Sequence, residues 1–126
     1  MAVPDYQSLM LPVLQAVSDG KVHAVSGIRD AVAQALSLSE DDLKEQVPSG
    51  KQTIFLNRVN WAITYMTHAG LLTRPQRAHH AITERGREAL SSGLNRITVE
   101  YLRKYPEFVD FRAGRARSQP APITAS

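Results

Sequence analysis

Four polar side chains in residues 53–69 have the types and spacing needed to read base edges in DNA. They are Asn57, Arg58, Asn60 and Thr64. In the major groove an asparagine can form two hydrogen bonds with adenine, and an arginine can do the same with guanine. We therefore interpret these residues as the first half of a recognition helix. Solvation or helix capping would also explain some of them.

The residues at the start of this predicted helix suit a phosphate. Lys51, Gln52 and Thr53 stand where free backbone N–H groups and the positive end of the helix dipole attract an anion. We expect them to contact the DNA backbone.

A second group of candidate contacts follows the helix. Its members are Arg74, Arg77, His79, His80, Arg85 and Arg87. The first four lie on a predicted hairpin and would contact phosphates or enter the minor groove, unless the turn only adds solubility. The last two begin the next helix, where ion pairs with Glu84 or Glu88 explain them equally well.

We predict no metal site in this chain. Neighbouring histidines on a strand point to opposite faces, so His79 and His80 cannot share an ion easily, and the chain has 0 cysteines.

We also predict no catalytic residue. Pro4-Asp5 and Asp42-Leu43-Lys44 formally satisfy a nuclease signature. That chemistry needs both carboxylates on adjacent strands to hold a metal ion. Here Asp5 is expected to begin a helix and Asp42 to complete a capping box, so the match is interpreted as coincidence.

The order of elements around these residues is typical of a winged helix-turn-helix, an α+β fold that is mainly helical with a small β-hairpin. The pattern predicts a helix over 53–69, strands over 71–73 and 81–83, a basic tip between them, and a helix from Glu84 to about Ser91. In this fold one helix enters the major groove and the hairpin touches the backbone beside it. The side chains predicted to form the core face of the helix are Phe55, Val59, Ala62 and Met66, and those on the outer face are Asn57, Asn60, Thr64 and His68.

The remaining elements are predicted from caps and apolar stripes. A helix is expected from Asp5 to Val17, kinked or broken at Pro12, and then a short strand from Val22 to Val25. Ser26 is expected to cap a second helix, and Ser39 to start a third through a capping box. An extra aromatic helix over 98–111 should pack on Trp61 and Tyr65. We divide the chain into a domain over 1–111 and an Arg/Pro/Ala-rich linker or disordered tail over 112–126.

Composition favours a cytoplasmic domain with an anionic partner. The 126 residues are 43% hydrophobic and 21% charged, with no apolar run of the length that a membrane span requires and no secretory signal. Residues 1–50 contain 3 basic and 7 acidic side chains, whereas residues 51–126 contain 12 and 5. Positive charge is thus concentrated in the half that holds the predicted contacts.

Several short motifs, in order, resemble one family. They are Val3-Pro4-Asp5-Tyr6, Pro48-Ser49-Gly50-Lys51-Gln52-Thr53, Asn57-Arg58-Val59-Asn60-Trp61-Ala62, Ala69-Gly70-Leu71-Leu72-Thr73-Arg74-Pro75, Ile82-Thr83-Glu84-Arg85-Gly86-Arg87, Tyr101-Leu102 and Pro106-Glu107-Phe108. The series resembles the N-terminal domain of Mrr-like, type IV restriction endonucleases, which cut foreign or modified DNA.

The resemblance implies a winged helix that binds double-stranded DNA, including modified DNA, and is joined by a linker to a separate nuclease domain. Mg²⁺ would be a cofactor of that nuclease domain and not of this chain. We expect this chain to be the recognition part, either within a longer protein or alone. A stand-alone transcription regulator that dimerises through the aromatic helix, and an interaction module without DNA binding, remain alternatives.

Overall fold

The computed structural model describes residues 3–118, with side chains described as far as residue 114. The elements are α1 (Tyr6–Ala16), β1 (His23–Ala24), α2 (Val25–Ala35), α3 (Glu40–Lys44), α4 (Ile54–His68), β2 (Leu72–Gln76), β3 (His79–Ile82), α5 (Glu84–Ser91), α6 (Val99–Leu102) and α7 (Pro106–Ser118). The three strands form an antiparallel sheet in the order β1-β3-β2. The predicted α+β, winged-helix fold class is confirmed.

Helix α4 is the central element of the core, and its local signals predicted it well. The Thr53 hydroxyl accepts a hydrogen bond from the Leu56 N–H at 3.1 Å and caps the helix. The predicted apolar face is buried against α1, which makes the most extensive packing contact with α4. At the other end Gly70 has φ +84°, a conformation that glycine adopts without strain.

The N-terminal helices differ from expectation in two places. Helix α1 runs without a break through Pro12, so of the predicted kink or break the break is wrong. Helix α2 begins at Val25 and has no side-chain cap, so Ser26 is not its cap. The Val25 N–H donates instead to the Ala78 carbonyl on the hairpin at 2.9 Å. The predicted capping box at Ser39 is confirmed.

The hairpin is longer than predicted. Strand β2 continues to Gln76 and β3 starts at His79, leaving a turn of Arg77 and Ala78, where Ala78 has φ +61°. Pro75 is tolerated because β2 is an edge strand and its register is irregular between Thr73 and Gln76.

The aromatic C-terminal region packs on α4 as predicted, but as two helices. The Tyr65 ring meets Phe108 at 5.5 Å and Phe111 at 5.8 Å between centroids. Helix α7 then continues to Ser118, so residues 112–118 are helical although no periodicity predicted a helix there. The rest of the predicted tail, 119–126, lies outside the described residues. Within 3–118, no helix is long and apolar enough to cross a membrane.

Candidate nucleic-acid interface

A groove of about 470 Å³ separates the second half of α4 from the hairpin, with the start of α2 at its side. The residues that line it are Val25, Asn60, Ile63, Thr64, Thr67, His68, Arg74, Arg77, Ala78 and His80. Five of the predicted contacts meet in this groove: Asn60, Thr64, Arg74, Arg77 and His80. The other predicted contacts do not line it. None of the lining residues has a carboxylate, so the groove is suited to an anion.

Helix α4 contributes hydrogen-bonding groups to the groove. Asn60 is exposed and Thr64 is half-buried one turn later, so both face the groove from the same side of the helix. Thr67 continues this row. The Asn60 amide and the Thr64 hydroxyl can donate and accept at base edges or phosphates. The Thr67 hydroxyl donates to the Ile63 carbonyl at 2.7 Å, so toward a ligand it can only accept.

The hairpin contributes two guanidinium groups. Arg74 and Arg77 are exposed, and among the described side chains neither has an ion-pair partner. Other arginines behave differently: Arg85 pairs with Glu107 at 3.2 Å, and Arg96 lies 3.6 Å from Asp5. The groove arginines therefore keep their charge available for a ligand.

The two histidines of the hairpin have different surroundings. His79 is half-buried, and its Nδ1 donates to the Arg77 carbonyl at 2.8 Å, which stiffens the turn. His80 is 7% exposed and its Nδ1 has no hydrogen-bond partner among the described residues. Burial lowers the pKa of the His80 imidazole, and the nearby charges of Arg74 and His79 lower it further.

The predicted base contacts at Asn57 and Arg58 must be corrected, because both side chains are 7% exposed. The Arg58 Nη1 donates to the Val3 carbonyl at 2.6 Å and to the Pro4 carbonyl at 3.3 Å. Its guanidinium is thus used to hold the N-terminal segment on α4. The Asn57 Oδ1 is buried without a partner among the described residues. Neither side chain lines the groove.

The start of α4 is not part of the groove either. Lys51 is exposed, Gln52 is half-buried, and the Thr53 hydroxyl is occupied as the helix cap. The isolated bridge between Gln46 and Thr53 holds this segment beside the end of α3. These three residues remain sequence predictions that are separated from the groove.

Arg85 and Arg87 on α5 make contacts within the protein. The Arg85 Nη1 donates to the Ala69 carbonyl at 2.7 Å, and the guanidinium lies 4.5 Å from the centre of the Tyr105 ring. It therefore ties the end of α4 to the aromatic region. The Arg87 guanidinium lies against Gly20, where a Cβ would come within 2.6 Å of its Nη2.

Five groove residues were absent from the predicted contacts: Val25, Ile63, Thr67, His68 and Ala78. Thr67 follows Asn60 and Thr64 at the i, i+4, i+7 spacing of one helix face, so that signal was available. The His68 ring stacks on Phe111 with 3.8 Å between centroids, and burial lowers the pKa of its imidazole. Val25 comes from a distant helix, and no local pattern places it here.

No cluster of three or more histidine, cysteine or acidic residues suited to a metal ion occurs within the described part of the chain. The residues that line the groove offer hydrogen-bonding groups and positive charge.

Comparison with known proteins agrees with the resemblance seen in the motifs. A family model described as the Mrr N-terminal domain matches residues 6–92, which is more than half of the chain and includes every residue that lines the groove. No curated protein and no solved structure matches the chain.

Proposed function

Since the chain belongs to the Mrr N-terminal domain family, we propose that it binds double-stranded DNA through the groove between α4 and the hairpin. In this proposal the domain recognises foreign or modified DNA in the cytoplasm and positions a separate, Mg²⁺-dependent nuclease domain on it. Catalysis belongs to that other domain.

The observation that supports this proposal best is the pair of free guanidiniums beside a row of polar helix residues. Arg74 and Arg77 lack acidic partners among the described side chains. Asn60 and Thr64 stand across the groove from them. Phosphate contacts position a protein on a duplex and base-edge contacts give specificity, so the two walls have complementary tasks.

In this fold the hairpin and helix α4 would contact different parts of the duplex. A hairpin tip can reach a backbone phosphate while the neighbouring helix lies in the major groove. Asn60 is the residue on α4 best suited to pair with adenine, because its amide is exposed and can form two hydrogen bonds. Thr64 would contact either a base or a phosphate.

The test is binding of the whole chain to matched duplexes with no modification, with methylated adenine or with methylated cytosine, at two salt concentrations. We expect Arg74→Ala and Arg77→Ala each to lower the salt slope of log K by roughly 0.9. Asn60→Ala should cost about 1–3 kcal/mol and relax base preference.

Arg103→Ala is the matched control, since it removes the same charge from an exposed residue that does not line the groove. It should leave the salt slope within roughly 0.2 of the wild-type value. Equal slopes for the wild type and both groove variants would refute this docking, and no measurable duplex binding would refute the function.

A further inference from the structure

We infer that the floor of the groove is a phosphate-binding site in which His80 acts with Arg74 and Arg77, and that His80 takes up a proton when the phosphate binds. The inference rests on the proposed function, in which the phosphate belongs to the backbone of duplex DNA. It adds a proton-linked contact that DNA binding by itself does not require.

His80 has a ring nitrogen that makes no hydrogen bond to the described residues. This side chain is 7% exposed, lines the groove, and has an Nδ1 without a partner among the described residues. Buried polar atoms are nearly always hydrogen-bonded, and a buried atom left without a partner is unfavourable. The Nδ1 atom has almost no exposed surface, so the ring must rotate about its Cβ–Cγ bond to present this nitrogen to the groove. A protonated imidazole can donate to an anion from either nitrogen.

The surroundings of His80 carry positive charge. Arg74 and Arg77 line the same groove, and no carboxylate does. Helix α2 begins beside the hairpin turn, with the Val25 N–H donating to the Ala78 carbonyl at 2.9 Å, so the positive end of its dipole faces this region. Two fixed cations and a helix N-terminus make a phosphate the best-matched ligand.

The groups that face His80 come from each neighbouring strand and from α4. Arg74 lies on β2 and His79 precedes it on β3. On β1, His23 is its partner in register, and the His23 Nε2 lies 2.8 Å from an Asp19 carboxylate oxygen. His68 lines the groove from α4. The closest influences are therefore cationic or neutral, and they favour a neutral imidazole when the groove holds no anion.

A bound phosphate reverses this balance. Its negative charge offsets the arginines and favours the protonated imidazole, so the pKa of His80 rises on binding. A group whose pKa is higher in the complex than in the free protein makes binding tighter as pH falls.

The direct test is an NMR titration of the His80 ring in the wild-type protein, alone, with inorganic phosphate and with duplex DNA. We expect both ligands to raise its pKa. Duplex affinity should increase between about pH 7.5 and about pH 5.5, by at most tenfold per pH unit for one proton.

His80→Gln should flatten the part of this pH dependence that is due to His80. The NMR measurement on the wild type keeps the test valid if His80→Gln does not fold.

The outcomes separate the two proposals. A His80 pKa that does not change while duplex binds through Arg74 and Arg77 overturns the inference and leaves the proposed function intact. A pKa raised by inorganic phosphate without any duplex binding supports the phosphate site and overturns the DNA function. No change with either ligand overturns the site.

Discussion

The guanidinium of Arg58 serves the protein's own backbone, although its chemistry suits a guanine. It donates to the carbonyls of Val3 and Pro4, and Val3 is 2% exposed beneath this contact. The N-terminal segment is thereby fixed on the outer side of α4, where the sequence predicted open access to DNA. The exposed part of α4 begins one turn later, at Asn60.

Replacing Arg58 with alanine should therefore affect folding and not recognition. Hydrogen bonds from a charged donor contribute roughly 1.5–3 kcal/mol, so we expect Arg58→Ala to lower the free energy of unfolding in urea by about that amount. Arg58→Lys, which keeps the charge without the planar fork, should recover only part of it. At a temperature where the variant is folded, its duplex affinity should equal that of the wild type. If Arg58→Ala weakened duplex binding while the midpoint of urea unfolding stayed unchanged, Arg58 would belong to the DNA interface.

At the scale of elements, the sequence predicted what local signals determine. The cap at Thr53, the apolar face of α4 and the capping box at Ser39 all follow from residues within one or two turns. Helical angle places a side chain on a face, but it does not tell what packs against that face. Asn57 and Arg58 were misjudged for this reason, since the segment bonded to Arg58 is more than fifty residues away.

The length of helix α7 was predicted too short for a related reason. Residues 112–118 have no apolar stripe, so periodicity gives no signal there. Phe108 and Phe111 dock α7 on Tyr65, and the Arg- and Ala-rich sequence that follows has a good intrinsic helix propensity. Tertiary packing begins the helix and propensity extends it.

Replacing glycine with alanine should have opposite effects at Gly86 and Gly27, because only Gly86 is packed closely against its neighbours. A Cβ at Gly86 would overlap the Leu71 carbonyl oxygen and lie 2.7 Å from the Ile82 Cγ1. Gly86→Ala should therefore destabilise the fold by about 1–3 kcal/mol, as overpacking does.

Gly27 in α2 is the control for this prediction, because a Cβ there meets nothing within 4 Å. Gly27→Ala should stabilise the protein by about 0.5–1 kcal/mol through helix propensity. Both changes are measured as the free energy of unfolding in urea. If Gly86→Ala were as stabilising as Gly27→Ala, the close packing of α5 on β2 and β3 would be wrong.

At the scale of the whole molecule, the acidic and basic parts of the sequence contribute to different surfaces. Helix α3 and its flanks hold Glu40, Asp41 and Glu45, all exposed, whereas the groove is lined without a carboxylate. Such an arrangement turns the groove toward a polyanion during approach and disfavours the acidic side. In the proposed function, this charge distribution orients the domain on the duplex before any base contact forms.

Protonation of histidine and carboxylate side chains should lower the free energy of unfolding in two stages as the pH falls. Burial, followed by the charges of Arg74 and His79, holds the pKa of His80 below the usual 6.5, so the unfolded chain binds more protons than the folded one below that pH. Stability is therefore full above about pH 6.5 and declines as pH falls, by at most about 1.4 kcal/mol per pH unit for each proton.

The second stage lies below the ordinary carboxylate range. A hydrogen bond with His23 lowers the pKa of Asp19, and the backbone amide of Glu107 followed by Arg85 lowers that of Glu107. The stability that these two carboxylates provide therefore begins to fall below about pH 4 and is lost as pH falls through their lowered pKa values. Urea unfolding between about pH 8 and about pH 3 should show both declines. His80→Gln should reduce the first decline and Glu107→Gln the second. A free energy of unfolding that stays constant from pH 7.5 to about pH 5 would mean that the buried imidazole is protonated as readily in the folded protein as in the unfolded chain.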